Sequence, residues 1–215
     1  EQLNVRRLDV GSRPSLRLRY ARFWRAAYRH LVHERPDAIH AHDLDALPPA
    51  WLAARLLAVP LVYDAHELWT ELPSLVGRPF TGGVWEAIAV ALVPRSDAVI
   101  SVGDGIAEEL ARRYRVRPIV LRNLPERRDL PRPLPLRDIV GCGAGRTLLI
   151  YQGSLMTGYG VDRAIAAMAH LPAAHLVIIG GGPLAGQVRE QASRSVASGR
   201  ITFLPPVPFA ELPRY

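Results

Sequence analysis

Lysine is missing from this chain. All 27 of its basic residues are arginine, and against 20 acidic residues they leave a formal net charge of +7. A surface of that sign suits phosphorylated ligands, anionic membranes or nucleic acid. The arginines are spread along the chain, with aromatic neighbours only near Trp24 and Tyr28. No nucleic-acid partner is therefore expected. Cysteine is almost absent. Cys142 stands alone, which excludes an intramolecular disulfide and a thiolate metal site built from this chain. No apolar run reaches the length of a membrane span, and no signal peptide is expected. The dinucleotide fingerprint G-x-G-x-x-G is also lacking. The chain opens on Glu1 and stops at Tyr215, at what reads as the start of a helix, so a fragment is expected.

What is present is an apolar fraction of 49%, ample for a buried core. Residues 3–10 alternate loosely as a strand would, and 11–15 read as a turn. The spacing predicts a helix over 16–34, with Tyr20, Phe23, Ala27 and Leu31 on one face and Arg19, Arg22, Arg25 and Arg29 elsewhere around it. That basic side is either a solvated face or a contact with an anionic membrane, Trp24 and Tyr28 then lying at the interface. A short buried strand is expected at 37–41 and a helix at 44–57, with Pro48 and Pro49 tolerable only in its first turn. A second strand runs from Pro60 to Asp64. Residues 67–82 look irregular, followed by a helix at 84–93, a strand at 98–102, a helix at 103–114 and a strand at 118–121. In the 103–114 helix, Glu108 and Glu109 precede Arg112 and Arg113 by four residues, a favourable spacing for ion pairs.

Residues 124–146 hold Pro125, Pro131, Pro133 and Pro135 and little periodicity, which marks a linker. The run 141–145 reads as a flexible part of it. Strands at 147–151, 175–179 and 201–204 then alternate with helices at 161–170 and 184–195. This pattern predicts an α/β protein of two Rossmann-like βαβ domains with parallel sheets, at 1–123 and 147–215.

Side chains that do chemistry in such sheets sit just past the carboxyl ends of strands. The first two strands here end in His40-Ala-His42-Asp43 and Asp64-Ala-His66-Glu67. His66 between its two carboxylates suits a general base or a holder of a sugar hydroxyl. His42 and Asp43 either face the same rim or cap the following helix, Asp43 being a good N-cap residue. His40 is expected to be packed. His40, His42, His66 and Asp64 also form a conceivable metal set, but their spacing matches no helical metal motif. A second rim carries Gly153-Ser154-Leu155-Met156-Thr157-Gly158-Tyr159-Gly160 and, one unit later, Gly180-Gly181-Gly182-Pro183. Glycine at a strand-to-helix turn lets backbone approach a ligand, and the helix N-terminus attracts phosphate. Tight turns of this kind also need glycine for their own geometry.

The segments 36–43, 59–67, 96–102 and 179–183, in that order and spacing, resemble the group 1 glycosyltransferases. These are retaining sugar transferases of the two-Rossmann GT-B architecture. The resemblance implies that a nucleoside diphosphate sugar, of UDP or GDP type, binds the C-terminal domain. A glycan or lipid-linked acceptor would bind the N-terminal rim, with His42, Asp43 and Glu67 on that side. His66 matches the family histidine close to the transferred sugar. Gly153, Ser154, Tyr159, Gly160, Gly181 and Gly182 match the donor-binding turns. No bound metal or cofactor is implied. The diphosphate segment departs from the family pattern, with Ser154 where the family has Arg and Tyr159 where it has Lys. Arg163, one turn on, offers a charge from a shifted position. The family's glutamate pair would fall beyond Tyr215, and its glycine-rich first turn before Glu1. A cytoplasmic location is expected, at the inner membrane face if the basic helix makes contact there. The alternatives are a non-catalytic binding or scaffold protein of the same fold, and an epimerase or phosphorylase built on it.

Overall fold

The computed structural model describes residues 5–7, 16–125, 127, 129 and 131–215. The strand expected at 3–10 and the turn at 11–15 fall largely or wholly outside these residues. The chain divides into two compact units, meeting in sequence at Pro125 and Glu126.

The first unit holds a four-stranded parallel sheet in the order β1 (Ile39–His42), β2 (Leu61–Ala65), β3 (Ala98–Ser101) and β4 (Ile119–Val120). Helices α1 (Leu16–Glu34), α2 (Asp43–Leu57), α3 (Pro79–Leu92) and α4 (Asp104–Tyr114) lead into and connect the strands. Parallel neighbours need such crossovers. β1 alternates strictly, Ile39 and Ala41 buried, His40 and His42 exposed. Leu61, Tyr63 and Ala65 of β2 continue the buried face, against Leu44, Leu47, Ala50 and Ala53 of α2. Burial also pushes the Tyr63 phenol well above its usual range. Asp97 ties the start of β2 down, its Oδ2 accepting the Leu61 N–H at 2.8 Å.

Several elements depart from the sequence reading. Pro48 and Pro49 lie well inside α2, past its first turn. A proline there deprives the carbonyl four residues back of its partner. For Pro49 that carbonyl belongs to Asp45, and Trp24 Nε1–H donates to it at 2.7 Å. With this bond in place, Tyr20, Trp24, Tyr28, Leu31 and Val32 of α1 meet the core, which keeps Tyr20 and Leu31 of the expected face but not Phe23 and Ala27. Trp24 and Tyr28 are thus used inside the unit, while Arg19, Arg22, Arg25 and Arg29 remain exposed. Among the described residues no helix is long and apolar enough to cross a membrane. α3 begins five residues earlier than expected, because Pro79 fits a first helical position and Gly82 and Gly83 are tolerated within. Trp85 of α3 is buried at the centre of an aromatic group, with ring centroids 5.2 Å from Tyr20, 5.6 Å from Trp69 and 6.3 Å from Trp24. Glu109, not Glu108, holds both Arg112 and Arg113.

The second unit holds a three-stranded parallel sheet, β5 (Thr147–Gln152), β6 (Ala174–Ile179) and β7 (Ile201–Leu204). Helices α6 (Val161–Ala167) and α7 (Ala185–Arg194) connect them. β6 is buried on both faces. Leu176 and Ile178 pack with Val161, Ile165 and Val188, and Val177 and Ile179 pack with Leu136, Val140 and Cys142. Residues 134–142 are therefore part of this core and not a flexible linker. They form the short helix α5 (Leu136–Ile139), closed by Gly141 at φ +65°.

Trp85→Ala removes the ring on which three other aromatics converge and lowers stability by about 3–5 kcal/mol in urea titration. His175 on β6 is buried, with Nε2 2.8 Å from Thr202 Oγ1 and no hydrogen-bond partner for Nδ1. Desolvation, then Arg146 and Arg200, lower its pKa below the ordinary 6.5. As pH falls through about 6.5 the unfolded chain takes up a proton that the folded chain resists, so stability falls. His175→Gln flattens this dependence between pH 7 and pH 5 in thermal melts. Melts of parent and variant that run parallel would show that His175 carries none of it.

Candidate functional site

Side chains two apart on a strand project from one face. His40 and His42 therefore share the uncovered face of β1, and Asp64 and His66 share that face on and just past β2. The register pairs His42 with Asp64 across the two strands. The result is one carboxylate oxygen ringed by three imidazoles. Asp64 Oδ2 lies 3.1 Å from His40 Nε2, 3.3 Å from His42 Nδ1 and 3.5 Å from His66 Nε2. His42 Nδ1 and His66 Nε2 are 3.1 Å apart, so one of these two rings donates to the other. The His40 and His42 rings stack at 4.4 Å. Asp64 is nearly enclosed, with 13% of its side chain exposed, whereas the three imidazoles are 40–61% exposed and open to a ligand.

His40 is thus part of the cluster, and the expectation that it is packed is wrong. β1 buries only its Ile39 face. Asp43 does not cap α2 either. It is the first residue of that helix, at φ +61°, and its Oδ1 accepts the backbone N–H of His66 at 3.1 Å. Aspartate tolerates this left-handed conformation better than most residues. His42 occupies the cap position, without a side-chain cap bond. Asp43 therefore acts as a strut from the exit of β1 to the exit of β2, and fixes where His66 leaves the sheet. Glu67 is exposed at the following bend.

Sequence reasoning missed two features. Arg113 of α4 donates to Glu71 Oε1 at 2.8 Å and to Thr70 Oγ1 at 3.2 Å, and also grips Glu109. It holds the segment after His66, where residues 69–71 and 73–75 make single 3-10 turns. These carboxylates raise the Arg113 pKa further above its ordinary value. The only signal in sequence was its i,i+4 spacing from Glu109, which suggested a local pair. The second is a cavity of about 550 Å³ in the first unit, lined mainly by apolar side chains including Tyr20, Trp24, Trp69, Phe80 and Trp85, with Arg78 among its polar members.

In the second unit the glycine turns pack on each other. A Cβ on Gly180 would lie 1.9 Å from the Gly153 carbonyl oxygen, and one on Gly182 would lie 2.6 Å from that of Leu155. The Leu155 N–H donates to Gly181 O at 2.9 Å, and the Leu184 N–H to Leu155 O at 3.0 Å. Both glycines are thus required by loop-to-loop packing, whatever binds there. Gly160 stands at φ +76° at the start of α6. Ser154, Tyr159 and Arg163 are all exposed beside it, Tyr159 by 58%. The Ser154 carbonyl accepts the Tyr151 hydroxyl at 3.0 Å.

Arg113→Ala is predicted to loosen the 69–76 segment selectively. Amide exchange there rises severalfold while that of residues 174–179 is unchanged. The cost in global stability stays within about 1 kcal/mol, as for a partly exposed ion-pair network. Unchanged exchange at 69–76 would mean that other contacts hold the segment.

The profile of Glycosyltransferase Family 4 matches residues 2–124. A D-inositol 3-phosphate glycosyltransferase from Xylanimonas cellulosilytica is 29% identical over 162 residues, covering 67% of this chain and 38% of that protein. Among solved structures, sucrose-phosphate synthase from Thermosynechococcus elongatus superimposes with a TM-score of 0.68 at 18% identity, over 97% of this chain and 56% of that one. Anabaena HepE in complex with UDP-glucose gives a TM-score of 0.58 at 19% identity, over 91% of this chain and 53% of that one. The chain thus spans a little over half the length of these structures and 38% of the curated relative. The two parallel Rossmann-like sheets are those of the GT-B fold. The family match runs through the strand ends that carry His42 and His66 and through more than half of the chain: the protein belongs to Glycosyltransferase Family 4.

Proposed function

We propose that this protein transfers a sugar from a nucleoside diphosphate sugar to an acceptor hydroxyl, with retention at the anomeric carbon. The observation that carries the reading is the strand-end rim of the family-matched unit, where Asp43 and Asp64 fix His66 in place. In this scheme the bond from the anomeric carbon to the diphosphate oxygen breaks, and the acceptor oxygen bonds to that carbon. The acceptor's proton passes to the departing diphosphate. His66 holds a hydroxyl of the reacting sugar, where oxocarbenium-like charge develops, and the His42 side of the rim meets the acceptor. The donor's diphosphate lies at the 153–160 turn, with Gly181 and Gly182 behind it. A uridine nucleotide is favoured over a guanosine one because HepE, of like fold, is seen with UDP-glucose.

A lipid-linked acceptor is favoured over a free glycan by the aromatic cavity beside α1 and by the arginines that α1 leaves exposed. An apolar wall next to a basic face suits an acyl or prenyl chain bearing a phosphate, reached at a membrane surface.

Ser154 and Tyr159 favour a second reading, a binding protein that has lost transfer. Cations at those places would stabilise the charge on the leaving diphosphate. Calorimetry and turnover separate the two. The 215-residue chain is expected to bind UDP and to release UDP from UDP-glucose in the presence of a polyprenyl phosphate. His66→Ala is expected to keep UDP affinity and to lose turnover by about 10²-fold or more. UDP binding without turnover supports the scaffold reading, and failure to bind UDP or GDP overturns the transferase reading.

A further inference from the structure

We propose that His40, His42 and Asp64 form a three-ligand site for a divalent transition metal ion, zinc above all, with a fourth position open toward His66. The spacing that fits no helical motif fits a pair of strands. H-x-H on β1 places two imidazoles on one face, and the β1–β2 register brings Asp64 level with His42. One ligand atom from each of the three residues lies within 4.8 Å of the other two. The Asp64 Oδ2 distances of 3.1 Å to His40 Nε2 and 3.3 Å to His42 Nδ1 are of a further significance. A tetrahedral zinc ion with bonds of about 2.0–2.1 Å separates its ligands by about 3.3–3.4 Å along each edge. Two of the three edges of the required ligand triangle are therefore already near the right length, and the third is no longer than 4.8 Å between exposed imidazoles.

The donor set is chemically suited to such an ion. Two imidazoles and one carboxylate make a borderline-soft set that leaves a divalent ion with one positive charge, of the kind that keeps one coordination position open. Its base is rigid, since both strands belong to the sheet and Asp43 braces the exit of β2 through the His66 N–H. His66 Nε2 stands 3.5 Å from Asp64 Oδ2 and 3.1 Å from His42 Nδ1, beside the three-residue set. There it faces a water or hydroxyl on the ion rather than completing the set. The site lies in the first unit and makes no use of the 153–160 turn, so it is independent of how the donor diphosphate is held.

The test uses the untagged 215-residue chain, zinc or cobalt(II) alone as the probe, and no substrate. Calorimetry is expected to give one zinc per chain, and cobalt(II) to give the intense visible bands of four-coordinate geometry. His42→Ala and Asp64→Asn are each expected to weaken zinc binding at least about tenfold, while His33→Ala, an exposed histidine elsewhere, leaves it unchanged. Circular dichroism of each variant confirms that the fold is kept. His66→Ala is expected to alter the cobalt spectrum with little change in affinity. No stoichiometric binding, or equal binding by His42→Ala, overturns the site. Loss of affinity in His66→Ala as large as in His42→Ala overturns the open fourth position. UDP binding is measured separately, so failure here leaves the glycosyl-transfer reading standing.

Discussion

The pairing of β1 with β2 is the constraint on which the first unit's chemistry depends. Register in a sheet with one covered face is strongly specified, because a slip by one residue would exchange the faces. Ile39, Ala41, Leu61 and Tyr63 all go inward to the same core. Once they do, His40, His42, Asp64 and His66 have no choice but to gather on the other side. The apolar residues of two short strands thereby bring four polar ones within hydrogen-bonding reach of each other. Neither strand could do this alone. Asp64 is nearly enclosed because it is surrounded by the histidines that it orients, and its carboxylate is the shared partner of all three.

A second dependence runs through the helices. The prolines of α2 look like a defect in a helix, yet the carbonyl that Pro49 strands at Asp45 is the acceptor that fixes Trp24. Trp24 in turn leans on Trp85, as do Tyr20 and Trp69. The cavity beside them is walled by the same rings. A backbone carbonyl that α2 itself leaves unpaired is thus connected, through the indole that donates to it, to the shape of an apolar space on the surface of the unit. Arg113 does comparable work from α4, where it ties the turn after His66 to a helix instead of leaving it to solvent.

Much of this architecture is legible in the sequence. Alternation of apolar runs with helical spacing locates every described strand to within about two residues, because burial imposes the period directly. What periodicity does not reveal is whether a face is covered. His40 was expected to be packed for that reason. β1 buries Ile39 and Ala41 and leaves His40 and His42 exposed. For a related reason the sequence leaves Asp43 open between a rim residue and a helix cap. Its residue type suits a helix cap, and a bond to a backbone N–H 23 positions later leaves no trace in local sequence. The residues at 134–142 look like a linker because their prolines are local, while the burial of Leu136 and Val140 against β6 is not.

The glycines of the second unit show the same limit from the other side. Gly180 and Gly182 were singled out as places where backbone nears a ligand, and the backbone they near is that of Gly153 and Leu155. A glycine required by packing carries no information about a ligand, since it would be kept with or without one. The residues whose identity is free to report on the donor are those that packing leaves alone: Ser154, Tyr159 and Arg163, all exposed beside the turn. Two of these lack the charge that a departing diphosphate calls for, and the third carries it one helical turn further on. Whether the guanidinium of Arg163 reaches a diphosphate from there is a question of side-chain length and not of fold. The difference between a transferase and a scaffold in this chain therefore rests on a few exposed atoms, while the glycines that first draw the eye are neutral between them.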